Sequence, residues 1–473
     1  MYDSAAIAPE INTSFGWLNA DKPYSIKDLR GKIVLLDFWT YGCINCQHIM
    51  PDLKKLEDQY PQQLVIIGIH SAKFDAEKSN DRIKNAILKF GIEHPVVNDA
   101  DYVVWKAYKV SSWPTVALIS PDGKIVTQLE GEGIYDSLNT KIGQLIKEYE
   151  GAINDSPIVF RQKKESGLAS ILKFPSKMTA DTAGNVWLAD SGNDRILEVT
   201  PDGKIITVIG GGKKGTSDGD FATASFNEPQ GIALKGNLLY IADTKNNLIR
   251  LADVVTKKVT TIAGDGRMGY YYGNNKLNEP VLPNSPWALA IDNKDLYIAD
   301  AGNHQILRMD LSNNKVFRFA GNGREELTDG PLMNASFTQP SGLSKSGNII
   351  YVADPEGSAI RQIDLVTKQV KTIAGKGLFD FGDKDGPVSS ALLQHCTGLA
   401  IKQGKLYIAD TYNGKIKVLD LSTKIITTLV TGLSEPNDVL YMGDTLWISD
   451  TNNNQLVTFN ISSKVRKVVD VHL

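Results

Sequence analysis

The chain has 473 residues, which is too long for one ordinary domain and predicts at least two hydrophobic cores. Its composition, 42% hydrophobic and 22% charged, is that of an ordinary globular protein. A formal net charge of −3 excludes a general electrostatic attraction to nucleic acid or anionic membrane, so we expect no nucleic-acid or membrane partner.

Targeting signals and cysteine usage bear on the compartment. Residues 1–20 lack the basic and apolar regions of a signal peptide, and no later stretch has the roughly 18 uninterrupted apolar residues of a membrane span. The three cysteines include no pair that could staple the long C-terminal part, which is typical of a reducing compartment. We therefore expect a cytoplasmic protein, unless a native signal peptide has been removed.

Strands and helices alternate over residues 1–150, which predicts an α/β domain with a mixed sheet. The apolar run 33–39, with Asp37 as its one acid, is typical of a central strand buried on both faces. Further strands are predicted over 64–69, 113–119 and 125–127. Helices are predicted from the Cys43/Cys46 pair to Tyr60, over 81–90 and over 138–149.

Cys43 and Cys46 stand at the predicted turn between the first strand and the first helix. A CxxC at such a turn serves either redox exchange or one half of a zinc site. No second CxxC or clustered Cys/His pair follows. The pattern therefore favours redox chemistry, and we expect no metal and no cofactor.

Several offsets in this region resemble the thioredoxin superfamily. Asp37 lies six residues before Cys43, Trp39 lies two after Asp37, and Pro51 lies five after Cys46 inside the predicted helix. Trp113 and Pro114 resemble the cis-proline loop. The insertion before that loop is similar to the TlpA-like branch of the superfamily.

The same residues have predicted chemical roles. The free N–H groups of a helix N-terminus stabilise a thiolate at Cys43, which predicts that Cys43 is the nucleophile. Cys46, one turn further in, is the expected resolving thiol, and a buried Asp37 is placed to accept its proton, through water. A cis Pro114 would leave the backbone of Trp113 free to pair with an extended protein or peptide substrate.

Other interpretations of these residues stay open. The CxxC could be kept for packing, Asp37 could be a buried acid satisfied by hydrogen bonds, and His48 could be a solvated helix residue. Peroxide reduction is a weak alternative, because residues 39–42 lack the sequence that surrounds a peroxidatic cysteine.

Residues 151–168 are polar and charged, without periodicity, and are predicted to be a linker. Over 169–473 one pattern, an apolar run ending in aspartate, recurs six times, at Asp190, Asp243, Asp300, Asp354, Asp410 and Asp450. The aspartates are 53, 57, 54, 56 and 40 residues apart, and each unit contains four predicted strands. These units resemble NHL repeats, which implies an all-β six-bladed β-propeller, to which residues 168–172 could add one strand.

The aspartates could form a ring of metal ligands, but acceptors that stabilise the turn after the second strand explain all six equally well. Only three histidines, His304, His395 and the near-terminal His472, fall in this half, which disfavours a metal-dependent propeller lyase. Cys396 is expected to be an inert buried thiol.

The aspartate turns and the inter-blade inserts are predicted to share one rim, where long loops on a rigid scaffold bind other proteins. The candidate binding residues there are Arg267, Tyr270, Tyr271, Tyr272 and Arg324.

The two halves together resemble a family that joins a thioredoxin-like domain to an NHL propeller. Animal members carry a further β-rich C-terminal domain, and this sequence resembles the bacterial-type members without it. Two functions follow. One is a thiol-disulfide oxidoreductase whose propeller selects the protein substrate, and the other is a non-catalytic interaction scaffold with a docking platform at its N-terminus.

Overall fold

The computed structural model describes residues 6–11, 16–158, 160 and 170–473. It divides into two compact units, Met1–Ser166 and Gly167–Leu473. Residues 161–168 of the predicted linker, and residues 168 and 169 of the predicted extra strand, lie outside the described residues. Residues 152–158 are described and pack on the first unit, where the Asn154 N–H donates to the Gly31 carbonyl.

The first unit is a six-stranded mixed sheet with helices, and the predicted α/β fold is confirmed. Its elements are β1 (Trp17–Leu18), β2 (Ile33–Trp39), α1 (Ile44–Gln59), β3 (Leu64–His70), a 3₁₀ turn (Asp75–Lys78), α2 (Asn80–Phe90), β4 (Val96–Asn98), α3 (Val103–Ala107), β5 (Thr115–Ile119), β6 (Ile125–Glu130) and α4 (Tyr135–Glu148). The strand order is β1-β4-β3-β2-β5-β6. β1, β4 and α3 were not predicted, since two to five residues are too few to show a period.

Strand β2 lies in the middle of the sheet and separates two apolar cores. It is parallel to β3 and antiparallel to β5, and all seven of its residues are buried. Ile33 and Leu35 pack with residues of α1 and α4, whereas Leu36 and Phe38 pack in the core on the other face. Because side chains alternate along a strand, Asp37 faces the same side of the sheet as α1.

The second unit is a β-propeller, and the six blades that were predicted are present among the residues described. Each blade has four antiparallel strands from one contiguous stretch of chain: Pro175–Ala180, Val186–Asp190, Arg195–Val199 and Ile205–Ile209 in blade 1; Ile232–Lys235, Leu238–Asp243, Leu248–Asp253 and Lys258–Ala263 in blade 2; Pro286–Asp292, Asp295–Asp300, Gln305–Asp310 and Lys315–Ala320 in blade 3; Gly342–Ser346, Ile349–Asp354, Ala359–Asp364 and Gln369–Ala374 in blade 4; Gly398–Lys402, Lys405–Asp410, Lys415–Asp420 and Ile425–Val430 in blade 5; Pro436–Met442, Thr445–Asp450, Gln455–Asn460 and Arg466–Val468 in blade 6. The first strands of neighbouring blades contact one another in a closed ring.

Three blades carry a short fifth strand that was not predicted. In blades 2, 4 and 5 a two-residue strand from the preceding insert pairs with the outer strand: Gly219–Asp220, Gly330–Pro331 and Gly386–Pro387. A glycine followed by an aspartate or a proline carries no β signal, so the sequence could not have marked these strands.

The six aspartates bind the backbone at the turn after each second strand. All six are fully buried, and each carboxylate accepts the N–H of a residue ahead of the first strand of its own blade; the donors are Lys173, Asn227, Asn284, Thr338, Gln394 and Ser434. Five of them also accept from a side-chain amide three residues later, at Asn193, Asn246, Asn303, Asn413 and Asn453. These contacts are those of the turn-stabilising interpretation, and they place this turn beside the inter-blade link.

Candidate active site

Cys43 and Cys46 differ in exposure and in hydrogen bonding. Cys43 is the N-cap residue of α1 and is partly exposed, and its Sγ accepts a hydrogen bond from the Cys46 N–H at 3.3 Å. Cys46 is 1% exposed. Burial raises the pKa of the Cys46 thiol well above its ordinary value, and the hydrogen bond with Cys43 adds to this effect. Only the Cys43 sulfur is therefore open to a partner, and Cys46 needs a base before it can act as a nucleophile.

Asp37 is the buried acid of the site. It is 3% exposed, and its Oδ1 has no hydrogen-bond partner among the residues described. Burial raises its pKa to about 7, and the positive charge of His94 opposes part of that rise. The charge of Asp37 in turn contributes to the raised pKa of Cys46. An acid that is half ionised near neutral pH, and that interacts with the buried thiol, is suited to accept its proton.

Trp39 and His70 are two further buried side chains beside the cysteine loop. His70 lies edge-on to Trp39, with 4.9 Å between ring centroids, and is stacked with Tyr41 at 5.5 Å. Burial lowers the pKa of His70 to about 3, so its imidazole is neutral at physiological pH. His70 therefore fills the core beside the cysteine loop without adding a charge.

Glu77, which the sequence did not single out, anchors the loop ahead of Cys43. It is fully buried, and its carboxylate accepts from the Thr40 hydroxyl at 2.6 Å and from the Gly42 N–H at 3.0 Å. It also accepts the N–H groups of Lys73 and Phe74, so that one carboxylate joins two loops. Glu77 lies 35 residues after Gly42 in a charged stretch, where a sequence pattern does not separate it from a solvent-exposed residue.

Trp113 and Pro114 follow the arrangement that the resemblance implies. The peptide bond between them is cis, and the Trp113 indole N–H donates to the Ser71 carbonyl at 3.0 Å. Trp113 is half-buried and packs against Trp105, with 4.6 Å between ring centroids.

His48 is not the solvated residue that one interpretation expected. Its side chain is 7% exposed, and its Nδ1 lies 2.6 Å from the Glu132 carboxylate. Glu132 follows Gly131, whose N–H donates to the Pro114 carbonyl. The pair therefore links the helix that carries the cysteines to the segment that follows the cis-proline strand.

The predicted rim residues of the propeller differ in exposure. Arg267 and Arg324 have side chains that are 80% and 73% exposed, and Tyr270 and Tyr272 are 43% and 57% exposed. Tyr271 departs from the expectation, because it is 8% exposed and packs in the core between blades 2 and 3. Its hydroxyl accepts the Leu282 N–H, which holds the insert together, so its side chain is not a contact surface for a partner.

Comparison with known proteins identifies the family. A family described as Thioredoxin-like matches residues 31–125, and the NHL repeat family matches residues 226–250. NHL repeat-containing protein 2 of Gallus gallus is 39% identical over 518 residues, which cover 98% of this chain and 71% of the chicken protein. The chain belongs to the family of NHL repeat-containing protein 2.

Other relatives match different shares of the chain. Protein SUPPRESSOR OF QUENCHING 1, chloroplastic, of Arabidopsis thaliana is 40% identical over 487 residues, which are 95% of this chain but 46% of that protein, so the chain spans about half of its length. Thiol-disulfide oxidoreductase ResA of Bacillus anthracis is 33% identical over 117 residues, which cover 25% of this chain and 65% of that protein. The chain thus joins a thioredoxin-like unit to a propeller. Among the residues described, no helix combines the length and hydropathy that crossing a membrane requires.

Proposed function

We propose that the thioredoxin-like unit carries out thiol-disulfide exchange and that the propeller binds the protein on which it acts. The observation that carries the proposal is the asymmetry of the CxxC. Cys43 presents a partly exposed sulfur at a helix N-terminus, while Cys46 is buried beneath it beside an acid. One accessible and one protected thiol are what a two-step exchange requires. The likeness to a thiol-disulfide oxidoreductase in this unit supports the same chemistry.

In the reducing direction, the Cys43 thiolate attacks one sulfur of a substrate disulfide. The substrate S–S bond breaks, a mixed disulfide forms, and the released substrate thiolate takes a proton from solvent. Cys46 then gives its proton to Asp37, and its sulfur attacks Cys43, displacing the second substrate sulfur as a thiolate that is protonated in turn. The two cysteines lose two electrons and the substrate gains them. The reverse sequence oxidises a substrate dithiol.

The propeller suits the second part of the proposal because its rim is rigid and its inserts are long. The inserts ahead of blades 2 to 5 are tied to the blades by the buried aspartates, and exposed aromatic and cationic side chains lie on them. Tyr272 lies against Gly323, the neighbour of Arg324, so an exposed tyrosine and an exposed arginine lie on adjoining segments there. Such pairs are common in protein interfaces.

Trapping tests the proposal with the full chain. Cys46→Ser cannot resolve the mixed disulfide, so we expect partners to remain bound through Cys43 and to be released by a reductant. The Cys43→Ser, Cys46→Ser double variant is the control, since it has the same fold and no reactive pair. Reductant-sensitive adducts that are no more abundant than with the control would contradict catalysis. If partner binding were equal in wild type and double variant, the scaffold function would be favoured.

A further inference from the structure

A buried slot opens beside Asp37, on the β3 side of the sheet. Gly68 is the register partner of Asp37 in the parallel β2–β3 pair. A Cβ atom on Gly68 would lie 2.9 Å from the Trp39 Nε1 and 3.5 Å from the His94 Nε2. Glycine at this position therefore leaves room for an imidazole that comes from the loop before β4 and faces the buried acid.

His94 has one free nitrogen in this slot and one that is engaged. Its side chain is 7% exposed, and its Nδ1 lies 2.9 Å from the Glu57 carboxylate of α1. A carboxylate only accepts, so Nδ1 carries the hydrogen, and in the neutral imidazole Nε2 keeps its lone pair and can accept a proton. Nε2 is buried and has no hydrogen-bond partner among the described residues, as is also true of the Asp37 Oδ1.

These groups form a line from the buried thiol to the surface. Cys46 on α1 and His94 in the loop before β4 both interact electrostatically with Asp37, and Glu57 lies behind His94 with a side chain that is 21% exposed. The remaining titratable neighbours are His70 on β3, which is neutral, and Cys43 above Cys46. Outside them, Lys54 pairs with Glu93 and Asp58 at the surface.

We propose that His94 and Glu57 form a proton relay that carries the Cys46 proton from Asp37 to solvent. The relay rests on the proposed exchange function and adds two positioning residues to it. When Cys46 attacks Cys43, its S–H proton passes to the Asp37 carboxylate, from there to His94 Nε2, directly or through one water, and the Nδ1 proton leaves by way of Glu57. His94 is the charged group that interacts with Asp37, so the relay returns the carboxyl group to its ionised state for the next turnover.

The relay is tested on the resolving step alone, in the full chain. An aromatic disulfide that releases thionitrobenzoate reacts first with Cys43, and the second release reports the attack by Cys46. His94→Gln should leave the first release unchanged and slow the second by about tenfold, less than the loss expected for Asp37→Asn, which removes the base itself. In His94→Gln the rate of the second release should also rise with pH at higher pH values than in wild type, since the charge of His94 no longer lowers the pKa of Asp37. Glu57→Gln should lie between wild type and His94→Gln.

His48→Gln is the matched control, because His48 is also a buried histidine paired with a glutamate but does not face Asp37. A second release in His94→Gln with the rate and pH profile of wild type would overturn the relay while exchange stands. If wild type gives only the first release, exchange itself fails and the relay falls with it. An NMR titration of the Asp37 carboxyl gives an independent readout, and a pKa equal in wild type and His94→Gln would also overturn the relay.

Discussion

Glu77 shows how one buried carboxylate determines the geometry of the nucleophile. It accepts four hydrogen bonds, two from the residues just ahead of Cys43 and two from the loop after β3. These four donors are backbone N–H groups and one hydroxyl, and their fixed dipoles stabilise the negative charge of the carboxylate. The position of Cys43 therefore depends on a residue that does not take part in the chemistry.

Glu77→Gln tests this role. In glutamine, the side-chain NH₂ would face at least one of the N–H groups that now donate to Glu77, so two donors would oppose each other. A buried donor without an acceptor costs about 1–3 kcal/mol. We expect faster hydrogen exchange at Gly42 and an altered rate of Cys43 alkylation. Glu93→Gln, at the exposed surface of the same unit, is the control and should change neither. Gly42 protection equal to that of wild type would contradict the anchoring role.

Sequence reasoning predicted some parts of this site and missed others for a physical reason. Cys43, Cys46, Asp37 and Pro114 lie at fixed offsets around one strand and one helix, so local spacing is enough to predict that they come together. Glu77 and His94 reach the same place from segments with no periodicity, and only the folded sheet brings them near. Their contacts depend on three-dimensional packing, which a spacing rule does not contain.

At the scale of the element, the aspartate turns of the blades share the same backbone hydrogen bond but differ in whether a cation pairs with the aspartate. In blade 2, Asp243 is paired at 2.9 Å with Arg250, and both side chains are fully buried. Asp300 of blade 3 accepts hydrogen bonds from the Asn284 N–H and the Asn303 side-chain amide. Burial and these two hydrogen bonds determine its pKa, without a contribution from a cation. Burial accordingly raises the pKa of Asp300 to about 7 and that of Asp243 to about 6.

Replacement by asparagine should have different effects in the two blades. Asp243→Asn takes one of two carboxylate partners from the buried Arg250, which keeps Asp218 at 2.9 Å, so the gain from removing a buried charge is offset by the weaker pairing of Arg250. Asp300→Asn removes a charge that is costly to bury, and Asn303, whose Oδ1 has no partner among the described residues, can turn to accept the new N–H. We therefore expect Asp300→Asn to be stabilising at pH 8.

The pH dependence follows from the raised pKa of Asp300. Between its ordinary value of 3.8 and about 7 the folded state binds more protons than the unfolded state, so this group destabilises the fold increasingly as pH rises through that window. The gain from Asp300→Asn should be about 2–4 kcal/mol at pH 8 and should largely vanish near pH 4. Urea unfolding, followed by pulsed hydrogen exchange of blade 3 peptides, measures both. A gain that did not depend on pH would contradict the buried charge as its source.

At the scale of the whole propeller, Lys177 joins the first blade to the last two. It lies on the first strand of blade 1 and is 5% exposed. Its Nζ donates to the Thr397 carbonyl, beside blade 5, and to the Asn437 carbonyl of blade 6, and lies 4.0 Å from Asp438. Burial lowers the pKa of Lys177 to about 8. One cation thus holds three blades at the point where the chain closes on itself.

Lys177→Met should loosen this closure. Two buried carbonyls lose their donor and Asp438 loses its cation, a change that costs about 3–5 kcal/mol. We expect hydrogen exchange to accelerate in the first strands of blades 1 and 6 and to change little in blade 3. Lys235→Met is the control, since Lys235 also reaches a carbonyl of the next blade, at Asn293, but does so at the surface. Equal acceleration in all blades would show that Lys177 does not act at the closure.

The four main strands of every blade come from one uninterrupted stretch of chain, and this bears on how such a protein changes over generations. Where a propeller completes one sheet with strands from both ends of its chain, the loss or gain of an end repeat breaks that sheet. Here a duplication or deletion whose limits fall in two inter-blade links adds or removes a whole sheet. The angles between all blades must then adjust to close the ring, but each sheet keeps its own hydrogen bonds, so the segment that a gene copies is also the segment that forms a sheet.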